Sequence, residues 1–84
     1  MSPTIFKWKG YRFYFFSREE ARMHVHVVCA EGEAKFWLEP DVAIAKNHHL
    51  TAKQVSQIEA VVRERKDEIS NAWRRYFSGR SNQH

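Results

Sequence analysis

The sequence predicts an α+β fold: a four-stranded antiparallel sheet of two hairpins, with a short helix and a long C-terminal helix packed on one face. Three observations lead there. Residues 4–17 and 23–38 are each rich in aromatic and β-branched residues, and each is interrupted by a glycine where a tight turn belongs. From Thr51 onward, apolar residues recur at spacings of three, four or seven, as on one stripe of a helix. The chain has 84 residues, enough for one domain that buries roughly 60–65% of its unfolded surface and has no room for a deep enclosed site. The domain is expected over residues 1–78, with residues 79–84 as a disordered tail.

The first hairpin turns at Lys9-Gly10. With a two-residue turn, Phe6, Trp8, Tyr11, Phe13 and Phe15 share one face, and Lys7, Arg12, Tyr14 and Phe16 share the other. The second strand is apolar on both faces, which suits a central position. Pro3 stands at the strand start, where a missing N–H does little harm. Residues 17–22 form a charged connection, and Ser17 can cap a short helical turn there.

The second hairpin, residues 23–38, is expected to turn at Glu31-Gly32, with Gly32 supplying positive φ. That places Ala30 opposite Glu33, Val28 opposite Lys35, and His26 opposite Trp37. Val25, Val27 and Cys29 then share an apolar face with Ala34, Phe36 and Leu38. The opposite face carries His24, His26, Val28, Glu33, Lys35 and Trp37, and is where a functional site is expected.

Pro40-Asp41 ends the last strand and is expected to open a short helix through Lys46, with a loop at Asn47-His48-His49. Thr51-Ala52-Lys53-Gln54 fits a capping box. Val55, Ile58, Val62, Ile69, Trp73 and Tyr76 or Phe77 follow as the apolar stripe. The stripe lapses at Arg65-Lys66, a place for a bend or break. An unbroken helix from Ala52 to Phe77 would be ~39 Å long, which is long for so small a sheet. Gly79 is the expected stop.

The net charge is +4, with a pI of about 9.5. Residues 1–22 carry five Lys/Arg against two acidic residues, residues 23–50 two against four, and residues 51–84 seven against four. A basic surface permits contact with nucleic acid, but many small basic proteins make none. A single cysteine forms no internal disulfide and suits a reducing compartment, so a cytoplasmic location is expected. The sequence has no apolar run long enough for a signal peptide or a membrane span. It also lacks a Gly-rich phosphate loop, a Ser-His-Asp pattern and a Cys-X-X-Cys pair.

Three readings fit the outer sheet face. In the first, His24 and His26 perform acid–base chemistry on RNA, about 6–7 Å apart along one strand face. Lys35 and Arg12 would hold the phosphate, and Tyr14 or Trp37 would stack a base, with Lys7 nearby. The plainer account, which carries more weight, is that one histidine packs on Trp37 and the other is merely exposed. In the second, the two histidines share a metal with Glu33 or Glu39, and His48 and His49 could add to it. A stable zinc site needs three or four ligands, so this reading is weaker, and no metal or cofactor is expected. The third is a binding face for single-stranded nucleic acid or for a protein partner.

The blocks His24-Val25-His26-Val27 and Gly32-Glu33-Ala34-Lys35-Phe36-Trp37-Leu38-Glu39-Pro40 resemble a known family. So do Gly10-Tyr11-Arg12-Phe13, Asn47, and Trp73 with Phe77. Together they cover about residues 3–78 and resemble the family called domain of unknown function 4160. Many of its members place prolines just before the His-Val-His, where this chain has none, and a glycine near the position of His49. Members often neighbour a second small family, domain of unknown function 2442, in pairs that resemble toxin–antitoxin operons. The resemblance implies a cognate small partner protein and an RNA-directed toxin or, alternatively, a non-enzymatic partner- or nucleic-acid-binding module. It supplies no catalytic residues.

Overall fold

The computed structural model describes residues 4–15 and 22–81, with side chains through Phe77. Its elements in chain order are β1 (Thr4–Trp8), β2 (Tyr11–Tyr14), β3 (His24–Val28), β4 (Glu33–Trp37), β5 (Ala43–His48), α1 (Ala52–Glu64) and α2 (Lys66–Ser81). The strands form one antiparallel sheet in the order β1-β2-β3-β4-β5, so each pairs with its neighbour in sequence. The α+β class and the antiparallel sheet match the sequence reading. The sheet has five strands, not four.

The first hairpin follows the sequence. Trp8 pairs with Tyr11 and Lys7 with Arg12, around a two-residue turn at Lys9 and Gly10 whose φ values are 48° and 84°. Those positive angles match the right-handed strand twist, and Gly10 adopts its angle without strain. A bulge between Thr4 and Phe6 shifts the register at the strand start. Phe16, Pro3 and the Ser17 cap lie outside the described residues.

The second hairpin turns one residue earlier than expected. The Cys29 N–H donates to the Gly32 carbonyl at 2.9 Å, which leaves Ala30 and Glu31 as the turn. Val28 therefore pairs with Glu33, His26 with Lys35, and His24 with Trp37. Moving a turn by one residue moves the register by two, so each side chain keeps its face. The predicted apolar face survives while the predicted cross-strand partners do not. Gly32 does not take a positive φ. It is held instead by proximity, because a Cβ there would collide with the backbone carbonyl of His48.

β5 replaces both the predicted short helix and the predicted loop at residues 47 and 48. In Ala-Ile-Ala-Lys, Ile44 alone favours a strand, and Ala and Lys do not. What selects it is β4, whose outer N–H and C=O groups need partners and find them in β5. A bulge between Lys35 and Phe36 interrupts the β4–β5 register. Near the end of the strand, the Asn47 side-chain amide donates to the Leu50 carbonyl and its Oδ1 accepts from the Leu50 N–H. That closes a turn with His49 at φ 70°. A glycine at this position would adopt that angle freely.

The C-terminal helix is two helices. Thr51 caps α1 through the expected capping box, with the Thr51 hydroxyl accepting from the Gln54 N–H and the Gln54 side chain accepting from the Thr51 N–H. Arg65, at φ −104° and ψ 22°, ends α1 where the apolar stripe lapses. Asp67 and Glu68 follow in the first turn of α2, where carboxylates favour a helix start. α2 runs through Gly79 to Ser81, so the predicted stop at Gly79 and the predicted tail at residues 79–81 are helix. A glycine in a last turn weakens a helix without ending it.

One cluster joins the sheet to both helices. Phe13, Val25, Val27, Phe36, Leu38, Ile58, Val62 and Ile69 are its most buried members, with Trp73 and Phe77 alongside. Each such side chain contributes about 1.5–3 kcal/mol of transfer free energy. Phe15 meets the Trp73 ring edge-on at 5.4 Å, which ties the end of β2 to α2. Arg63 pairs with Glu59 at 2.9 Å and donates to the Val42 carbonyl at 3.0 Å, tying α1 to the start of β5.

Candidate functional site

The sheet face opposite the core cluster brings together every residue predicted for the site. Its middle row, read across paired residues, is Thr4, Tyr14, His26, Lys35 and Lys46. The row beside it is Lys7, Arg12, Val28, Glu33 and His48. His24 and Trp37 pair at the other end.

His24 is buried, at 2% exposure. Its Nδ1 donates to the Arg22 carbonyl at 2.8 Å, since a carbonyl can only accept. Its ring lies edge-on to His26 at 4.9 Å, to Trp37 at 6.0 Å and to Trp73 at 5.0 Å. Trp73 thus touches a histidine from the polar face as well as Phe15 from the core. His26 is half-buried, and its ring stacks on Tyr14 at 5.4 Å with its Nε2 buried. The two histidines are therefore packed into an aromatic cluster. A group that exchanges protons with a substrate must reach it, and His24 exposes only 2% of its surface.

The aromatic rings carry the chain's own cations. The Arg12 guanidinium sits 4.7 Å from the Tyr14 ring centre, and its Nε donates to the Thr4 hydroxyl at 2.6 Å. The Arg22 guanidinium lies 4.2 Å and the Lys35 ammonium 4.5 Å from the Trp37 ring centre. Arg22 Nε also donates to the Glu39 carbonyl at 2.9 Å. Such contacts contribute about 0.5–2 kcal/mol each and fix where the positive charge stands. Burial raises the Tyr14 pKa above its ordinary 10.0; the negative charge of Glu33 raises it further, while Arg12 pulls it down. Tyr14 is therefore a neutral phenol near pH 7.

Like charges stand directly opposite one another in two places, Lys7 with Arg12 and Lys35 with Lys46. Such pairs cost stability. Among the described residues, Glu33 is the carboxylate in these rows. Among the described residues, no group of three or more His, Cys, Asp or Glu could hold a metal ion. No helix in the described residues is long and apolar enough to cross a membrane.

Two members of the site escaped sequence reading. Arg22 belongs to a connection with no periodicity, and only its contact with Trp37 places it here. Lys46 fell in the predicted helix, and its position follows from β5. The burial of His24 depends on Trp73, far along the chain, and no local pattern signals it.

No curated protein and no solved structure matches the chain significantly. The family model described as Domain of unknown function (DUF4160) matches residues 10–74. That span holds the His-Val-His strand, the Lys35–Trp37 segment and Trp73, and the chain belongs to this family.

Proposed function

We propose that the outer sheet face binds the phosphate backbone of single-stranded RNA without cleaving it through the histidines. The observation that supports this is the arrangement of cations. Lys7, Arg12, Lys35, Lys46 and Arg22 share one face with Glu33, and two of the cross-strand pairs are like-charged. An unfavourable concentration of positive charge is a structural cost that an anionic ligand would offset. β2 and β4 are two strands apart, so Arg12 and Lys35, the inner members of the two like-charged pairs, stand roughly 10 Å apart across the sheet, a spacing suited to more than one phosphate. Tyr14 and Trp37 serve as supports for cations rather than as open platforms for bases, so binding would be tolerant of sequence.

In the toxin–antitoxin-like setting that the family resemblance implies, this face would be the RNA-contacting surface, and a partner would act by covering it. A second reading keeps some chemistry. His26 stands directly opposite Lys35, so a phosphate held by Lys35 would lie near an imidazole.

Fluorescence anisotropy with a short labelled RNA tests both readings. Three to four phosphate contacts predict a log–log salt slope of roughly −2 to −3 for a single strand. Lys35→Ala and Arg12→Ala should each reduce that slope by about 0.7. His26→Ala should leave affinity unchanged and produce no difference in RNA integrity. No binding at low salt would sink the proposal. RNA cleavage lost only in folded His26→Ala would favour the second reading.

A further inference from the structure

We propose that the open edge of β5 is a strand-addition site for an extended, acidic segment of a partner protein. β5 ends the sheet, and all six of its residues are exposed. The outward N–H and C=O groups of such a strand are a template for another chain. Edge strands are usually blunted by charge; β5 carries one, Lys46, and its Ala43-Ile44-Ala45 half carries none. Ile44 is 41% exposed, the exposed large hydrophobic side chain among the described residues. It borders a groove of about 500 Å3 between β5 and α1, lined also by Ala52, Val55 and Ala60.

A strand laid along β5 would present alternate side chains to two environments. On the helix side it meets Ile44 and the groove, which call for apolar residues. On the other side it meets Lys46, whose neighbour on β4 is Lys35. A carboxylate beside Lys46 would relieve that like-charge pair. Charge complementarity therefore selects a segment that alternates acidic and apolar residues. It disfavours a second copy of β5, which would bring another Lys46 and no carboxylate. Glu59, at the groove rim, is already paired with Arg63.

The test is an NMR titration of the isotope-labelled full chain with acetyl-Glu-Val-Glu-Val-Glu-Val-amide. The corresponding Lys-Val peptide and an oligothymidylate are titrated in parallel. The acidic peptide should move the backbone amides of β5 and of Val55 saturably, and the basic peptide should not. Lys46→Glu should weaken the acidic peptide roughly three- to five-fold and strengthen the basic one, because the exposed pair is inverted. Ile44→Glu should abolish acidic-peptide binding. Both positions are exposed, and an unchanged spectrum elsewhere certifies folding.

The proposal is overturned if β5 amides stay still at millimolar peptide or if the two peptides bind alike. It is also overturned if the same amides move with protein concentration alone, which would mean a second copy, or if oligothymidylate moves Ile44 and Val55 on the groove side as the peptide does, which would mean a general anion site. RNA binding on the outer face is read at Lys7, Arg12, Lys35 and Lys46, and its failure there would leave the result at Ile44 and Val55 standing.

Discussion

The backbone carbonyl of His48 lies against Gly32, at the place where any other residue would carry its Cβ. The His49 backbone and Cβ crowd the same point at 3.1 Å. The β3–β4 turn and the end of β5 are therefore locked together by the absence of a side chain. Gly32→Ala must push backbone away from backbone, which costs about 1–3 kcal/mol. Urea unfolding should show a lower midpoint with an unchanged slope. In a domain of this size the loss corresponds to roughly 4–8 °C in Tm per kcal/mol.

His24→Ala is expected to act on stability. The substitution empties a buried site between three aromatic rings and leaves the Arg22 carbonyl without its donor. A loss of about 2–3 kcal/mol follows. His26→Ala, at a half-buried position, should cost less. Any loss of activity in a His24 variant should be read beside its unfolding curve. A His24→Ala protein as stable as the wild type would contradict this packing.

Tyr14 makes stability fall in strong alkali. Its folded pKa is raised above 10.0, chiefly by burial. The unfolded chain therefore releases this proton at a lower pH than the folded one. The stabilisation is complete below pH 10 and is lost as pH rises through the folded pKa. Urea unfolding between pH 8 and about 11 should show the wild type losing stability more steeply than Tyr14→Phe. Parallel curves would remove Tyr14 from the account.

His49 spends its φ of 70° in the left-handed region, which costs a residue with a Cβ about 1–2 kcal/mol. His49→Gly relieves that cost but gives up the ring contact with His48 at 4.2 Å. It also gains unfolded-state entropy. A net gain of about 0.5 kcal/mol is expected, read as a higher thermal midpoint. A lower midpoint would mean that the His48–His49 contact outweighs the strain.

The two sheet faces were legible in the sequence because alternation is insensitive to an even change of register. The turn at Ala30-Glu31 rather than Glu31-Gly32 changed the partner of each strand residue and left the faces intact. The helix break was legible as the lapse at Arg65-Lys66, and the start of α1 as its capping box. β5 was not legible, because its exposed Ala-Ile-Ala-Lys run becomes a strand only when β4 offers an edge. Within the site, residue identities could be read but burial could not. His24 and His26 look like a catalytic pair in sequence, and the structure packs them against Tyr14, Trp37 and Trp73.

The strand order has a consequence for how quickly the chain can assemble. Every strand pairs with the one just before or after it, and three of the four connections between them have five residues or fewer. No pairing has to wait for distant parts of the chain to meet, so the loop-closure entropy of each step is small. The sheet can grow by successive local additions from either hairpin, which places it among the faster topologies for β-structure. The step with the longest reach is the docking of α2, whose Trp73 and Phe77 must return to Phe15 and His24. Until that happens, the aromatic side of the β2 end stands open to water.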